Sequence, residues 1–368
     1  MKKIIHVHSD NKFIHDSERY TDESFINEIM ILDSKNSSNK EYHNKALFYE
    51  PIPDNLNKIL AVANSADALV IYNLDFFKSQ IVNRVDKRVK IIWRFFGTEL
   101  YSRKPHLYLS TKSKSFFVSR IVKSKVKSTF PFFFHYEKSF YRAIKRSDAI
   151  TCTFKDEYEH LTRHWNHLPT LIPLASEHHR NYSSKIDFKL DYPKKNIVVI
   201  GNSRAFYNNH LDSLELVQRS KHAQKLNIKV LFNYGTENTY THEVRKRAKL
   251  AGVELIDSFI APNKFIDFYG PVAAFINNSY RQLALGNVFM ALHKGVKVYL
   301  NSKNPTYQWL EGEGLYIYNM EILENDLKTG QVYLAKSEIE HNLKGLKKLK
   351  EGQSKSDFTL QVLELLNE

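Results

Sequence analysis

Two series of short apolar runs alternating with amphipathic segments, parted by one polar stretch, constrain this chain more than any other feature. In the first series, residues 3–8, 46–49, 68–72, 89–94, 149–154 and 170–173 read as strands. The segments 24–32, 55–66 and 76–88 between them carry helical spacing of apolar residues. Strands that alternate with helices close into parallel sheets, because each crossover must run back across a sheet face. The tract SEHHRNYSSKIDFKLDYPKK has no apolar period and a proline near its end, the composition of an interdomain linker. Alternation then restarts. Strands are expected at 196–201, 229–235, 253–259, 273–279, 296–302 and 315–319, with helices at 210–223, 241–252, 263–272 and 283–295. The reading is α/β, with two Rossmann-like domains: 1–176, a linker at 177–195, then 196–334. A basic helical tail spans 335–368.

Length agrees, since 368 residues are about twice an ordinary domain. Hydrophobic residues at 42% suffice for two cores. No apolar run approaches the ~20 residues of a spanning helix. The lone Cys152 excludes internal disulfides, and its neighbours mark it as a strand residue. A net charge of +14 calls for an anionic partner. Ten Lys/Arg against the single acid Glu137 fall within 110–146, and Phe117, Ile121 and Val126 recur there at helical spacing. A basic amphipathic helix beside aromatic residues suits an anionic leaflet. Phe117, Ile121, Lys123, Lys125 and Lys127 are the expected membrane-binding residues. Nucleic acid is not the expected partner, for no helix-turn-helix, RNP or zinc-finger pattern occurs.

Chemistry is expected at strand ends, where ligands of doubly wound sheets bind. In the second series Gly201, Asn202 and Ser203 follow an apolar strand, and Asn208 precedes the next helix. Asn233 and Tyr234, then Asn277, Tyr280 and Arg281, then Asn304, end further strands. Neutral amides and hydroxyls suit a base, ribose and sugar; Arg281 and the helix start at Gly286 and Asn287 suit a diphosphate. In the first series His8 and Asp10 follow the first strand, and Glu99 follows the fourth. Glu99, Asp10 and His8, in that order, are the candidates to take a hydroxyl proton or steady positive charge. No D-x-D triad or spaced His/Asp cluster calls for a metal, and no cofactor is implied.

The runs VVIGNSRAFYNNH, NYGTENTYTHEV and FINNSYRQLALGNVFMALHKGVKVYLNSKNPTYQWL resemble the TDP-N-acetylfucosamine:lipid II N-acetylfucosaminyltransferase family. WRFFGTELY is similar to that family's W-x-x-x-G-x-D-L-Y segment, with Glu99 where aspartate is usual. The resemblance implies a GT-B fold, its two domains facing across a cleft. It also implies a nucleoside-diphosphate (TDP) deoxyamino-sugar donor, a lipid-linked or growing-glycan acceptor, and a place in enterobacterial common antigen or O-antigen assembly. The expected enzyme is a metal-independent hexosyltransferase, peripheral on the cytoplasmic face of the inner membrane. A non-catalytic assembly subunit and a GT-B-fold nucleotide-sugar epimerase are the alternatives.

Overall fold

A computed structural model describes residues 1–9, 13–33, 46–117, 130–174, 194–351 and 355–368. The chain divides into two compact units: Met1–Arg103 with Ser128–Ala175 and Gly352–Glu368, and Lys104–Lys127 with Ser176–Glu351.

Unit 1 holds strands β1 (Lys2–His8), β2 (Phe25–Leu32), β3 (Ala46–Tyr49), β4 (Ala68–Tyr72), β5 (Lys90–Arg94), β6 (Ala149–Thr151) and β7 (Thr170–Leu171). They pair in the order β3-β2-β1-β4-β5-β6-β7, and every pairing is parallel. Helices α1 (Leu56–Ala63), α2 (Phe76–Arg84), α3 (Phe130–Arg146) and α4 (Lys155–Thr162) supply crossovers. The strand order reverses direction between β1 and β4, so this is where a ligand crevice forms beyond the carboxyl ends.

Segment 24–32, expected as a helix, is strand β2. It pairs with β1 from Lys2↔Phe25 to His8↔Ile31, and with β3 on its other edge. Sheet pairing on both sides overrides the helical spacing, which a short apolar run mimics.

Unit 2 holds β8 (Ile197–Ile200), β9 (Asn227–Leu231), β10 (Glu254–Ile256), β11 (Val272–Asn277) and β12 (Lys297–Leu300). Their order is β10-β9-β8-β11-β12, again all parallel, with the reversal between β8 and β11. Its helices are α5 (His210–Arg219), α6 (Thr239–Leu250), α7 (Pro262–Tyr269), α8 (Leu285–His293), α9 (Pro305–Gly312), α10 (Met320–Thr329) and α11 (Lys336–Glu351). The expected strand at 315–319 is no strand: only Tyr318 bridges to Tyr299.

Two segments divide differently from the sequence outline. The basic stretch 110–146 splits, because Leu109 enters the unit 2 core and Phe116 and Phe117 pack against it. Its later part, α3, packs against α2 in unit 1. The tail splits too. Leu346 of α11 belongs to a unit 2 core, while Phe358, Val362 and Leu366 of α12 (Lys355–Asn367) enter the unit 1 core beside Ile4, Val70 and Ile92. Phe358 is fully buried edge-on against Tyr20, their ring centroids 5.0 Å apart. Phe358→Ala is expected to destabilise unit 1 by about 3–5 kcal/mol. Denaturant unfolding followed through unit 1 checks this, and a loss below about 1 kcal/mol would mean that α12 does not belong to this core.

Candidate nucleotide and reaction sites

At the unit 2 reversal, β8 ends in Gly201 with φ +67°, a left-handed conformation that favours glycine. A Cβ there would also come within 2.8 Å of His210 Nε2. The loop that follows is built from asparagines. Asn208 is fully buried; its Oδ1 accepts from the Asn202 N–H at 3.1 Å, and its Nδ2 donates to Ser203 O and Ala205 O. Asn208, expected as a donor ligand, is therefore a brace whose amide is committed to the loop. Asn202 Nδ2 donates to the Tyr234 hydroxyl at 2.8 Å, which ties the β8 and β9 ends together. Tyr234 is half exposed, while Asn233 keeps a buried Oδ1 without a hydrogen bond among the described residues.

Asn209 closes the loop in a left-handed conformation, φ +48°. Its Nδ2 donates to Asn278 O at 2.9 Å, and its Oδ1 accepts from the Ser110 N–H at 3.0 Å. One side chain so joins the β8 loop, the β11 end and segment 104–117. Ser110 Oγ also donates to Asp212 on α5 at 2.5 Å. Sequence reasoning missed Ser110, because nothing in its spacing shows which core the 104–117 segment enters.

The β11 end is shaped by Asn277, whose Nδ2 donates to Leu283 O at 2.8 Å and whose Oδ1 lies 3.3 Å from the Ser279 N–H. Ala284, at φ +60°, then starts α8 without a side-chain cap, so the first-turn amides of Leu285 and Gly286 stay uncapped at the strand end, while the Asn287 N–H donates to Ala284 O at 2.9 Å. The Arg281 guanidinium lies 4.3 Å from the Tyr207 ring centroid, and Lys303 lies 4.6 Å from that of Tyr280. Asn304 is fully buried as the cap of α9: its Oδ1 accepts from the Thr306 N–H at 3.0 Å. The structure thus gathers Gly201, Asn202, Ser203 and Tyr234 on one side of the reversal, and Asn277, Tyr280, Arg281, Gly286 and Asn287 on the other.

At the unit 1 reversal, β1 ends in His8, which is 1% exposed and stacks on Tyr72 with centroids 3.9 Å apart. Its Nε2 is buried with no hydrogen-bond partner among the described residues. Burial first, then His6 and Lys78, pushes the His8 pKa down to about 3. The unfolded chain takes up this proton first as pH falls from 6.5, so His8 costs stability on acidification. Relative to His8→Phe, which keeps the ring stack, the parent protein is expected to lose about 2 kcal/mol between neutral pH and about pH 5. Paired denaturant titrations at the two pH values check this; a pH-independent difference would contradict the burial of a neutral imidazole.

Next to His8, the buried Lys78 donates to Ser9 Oγ and Tyr72 O, both at 2.5 Å, and fixes the turn around Asn73 (φ +59°). Glu99 is 2% exposed. Its Oε1 accepts from the Trp93 indole N–H at 3.1 Å and the Leu74 N–H at 3.2 Å, and Oε2 lies 3.3 Å from the Phe96 N–H. Burial raises its pKa, and these donors hold it back. Glu99 joins the β4 and β5 loops, with both oxygens engaged. Asp10 lies outside the described residues, as do Ile121, Lys123, Lys125 and Lys127. Phe117 is described and packs edge-on to Phe206, centroids 6.0 Å apart. Among the described residues no three His, Cys, Asp or Glu could share a metal ion, and no helix is long and apolar enough to cross a membrane.

Two doubly wound parallel units with polar strand ends at each reversal define the GT-B fold, and this chain has it. Three solved structures of that class overlap essentially the whole chain. An α-glucosyltransferase in complex with UDP has a TM-score of 0.61 at 9% identity, covering 100% of both chains. HepE of Anabaena, in complex with UDP and glucose, has a TM-score of 0.62 at 12% identity, covering 100% of both. Sucrose-phosphate synthase of Thermosynechococcus elongatus has a TM-score of 0.62 at 10% identity, over 100% of this chain and 98% of that one. In sequence the chain matches no family description and no curated protein, so the resemblance to fucosaminyltransferases is carried no further than the fold.

Proposed function

We propose that the protein is a glycosyltransferase that takes its sugar from a nucleoside diphosphate held at the β8–β11 reversal of unit 2. The observation that carries this reading is the loop built by Gly201, Asn202 and Asn209 opposite the uncapped start of α8. Such a start attracts a diphosphate, Arg281 adds a cation, and the amides and Tyr234 suit a base and sugar. These groups can stabilise a leaving diphosphate without a metal ion, and the reading is of a metal-independent enzyme. Two of the structural relatives are complexes with UDP, which supports a nucleotide as the ligand.

The finer reading is a TDP-linked deoxyamino sugar transferred to a lipid-linked glycan at the cytoplasmic face of the inner membrane. The motifs around 197–310 support it, and the basic stretch 110–146 supports the membrane surface. At the unit 1 reversal His8 is the proton acceptor and Glu99 a positioning residue, since of these two described candidates His8 keeps a ring nitrogen without a hydrogen bond while both Glu99 oxygens are engaged. Incubating radiolabelled TDP- and UDP-sugars with and without lipid-linked acceptor tests the reaction. Label is expected in lipid only when donor and acceptor are both present. Isomerised donor without acceptor would indicate an epimerase, and no conversion at all a non-catalytic subunit.

A further inference from the structure

At the other edge of the unit 1 sheet, where β6 and β7 begin, two adjoining hollows of about 210 and 360 Å³ share Ile144, Lys145 and His167. They lie between the end of α3 and the turn that joins α4 to β7. In a parallel sheet this edge is opposite the strand ends that carry His8 and Glu99, so the groove is no part of the reaction site. The walls are fixed. The His164 and Trp165 amides donate to Leu161 O at 2.9 and 3.0 Å, and the Tyr158 hydroxyl donates to Pro169 O at 3.1 Å. Trp165 forms part of the lining and is anchored against Trp93 and Phe140, with centroids 5.8 Å from each.

The chemistry of the lining is one-sided. Lys145, His164 and His167 bring nitrogen groups, Tyr141 and Asn166 bring neutral polar ends, and no carboxylate lines either hollow. The nearby acids face elsewhere: Glu137 pairs with Arg103 and Asp148 with Arg146, each at 3.1 Å. Lys138 and Arg142 extend the exposed stripe of Tyr141 and Lys145 along α3, and Arg163 stands beside His164 in sequence. The Trp165 indole N–H has no acceptor among the described residues. Beside these donors Ile144 and Leu168 give an apolar shoulder.

We propose that this groove binds a phosphate ester, with Lys145 and His167 contacting the anion and Ile144 and Leu168 receiving the esterified group. The larger hollow, about 360 Å³, lies within the range of small-ligand sites, and a lining with Lys145 and His167 and no carboxylate favours a doubly charged oxyanion. A free phosphorylated metabolite and a lipid headgroup share this chemistry. The inference does not depend on the sugar-transfer reading.

The test uses the full chain carrying Arg281→Ala, so that the unit 2 site does not contribute. Glycerol 3-phosphate is titrated calorimetrically, and co-sedimentation is measured with phosphatidylcholine vesicles with and without phosphatidic acid. Lys145→Glu and His167→Glu, both at exposed positions, are each expected to weaken binding at least tenfold, while Lys155→Glu, the same charge change at the far end of α4, leaves it unchanged. Saturable binding of glycerol 3-phosphate with this pattern supports a soluble ligand. Binding only to phosphatidic acid vesicles with the same pattern supports a headgroup. Absence of both, or an equal loss with Lys155→Glu, overturns the proposal.

Discussion

Gly201→Ala is expected to lower nucleoside diphosphate affinity by at least tenfold and leave unit 1 untouched. Two costs coincide at this residue. A Cβ at φ +67° adds strain of about 1–3 kcal/mol. The same Cβ would stand 2.8 Å from His210 Nε2, and His210 cannot readily give way. Its ring is fully buried, with Nδ1 bonded to the Tyr240 hydroxyl at 3.1 Å, and the same hydroxyl accepts the His210 amide N–H at 3.0 Å. The loop must therefore move, and with it Asn202 and the anchor to Tyr234. The double variant Gly201→Ala/His210→Ala removes the overlap but keeps the backbone strain, so it is expected to recover affinity only in part. Calorimetry on the three proteins checks this. Unchanged affinity in Gly201→Ala would mean that the nucleotide binds elsewhere.

The second large effect is expected at the unit 1 reversal, where His8→Ala and Glu99→Gln separate two roles. His8 stays in its proton-accepting form across neutral pH because burial disfavours the imidazolium. The same depression makes it a weak base, so its removal is expected to lower turnover by about 10²-fold, the lower end for general-base catalysis. Donor affinity should be unchanged. Glu99→Gln keeps one acceptor oxygen for Trp93 and Leu74 but opposes an amide N–H to the Phe96 N–H. A loss of turnover within about tenfold is expected there, together with a lower stability. Steady-state kinetics with saturating donor distinguishes the two. If Glu99→Gln lost turnover as heavily as His8→Ala while remaining as stable as the parent, Glu99 would be the reacting group.

The alternation of apolar runs made both parallel sheets legible, and with them the crevices at the ends of β1 and β8, since topology alone places those. Segment 24–32 was not legible as a strand. Phe25, Ile29 and Leu32 match a helical face as well as a strand, and only the pairing with β1 and β3 decides. The asparagines were legible as a group and not singly. Asn208 spends its amide on the loop and Asn304 its Oδ1 on a helix cap, whereas Asn202 reaches Tyr234 and Asn209 spans three segments; the distinction arises in tertiary contacts. Glu99 shows the same limit. A carboxylate after a parallel strand suggests chemistry, yet the Trp93 indole six residues earlier turns it into a structural acceptor. Periodicity within 110–146 showed an amphipathic segment, but the identity of the core that receives Phe116 and Phe117 depends on where the chain crosses.

The most direct test of the central claim is calorimetric titration of the purified protein with TDP, UDP, GDP and CDP in the absence of added metal. Selective binding of one diphosphate, TDP by the finer reading, that is lost in Arg281→Ala is the result predicted here. Failure of all four to bind would contradict a nucleotide site at the β8–β11 reversal, and with it the proposal that this protein transfers a sugar.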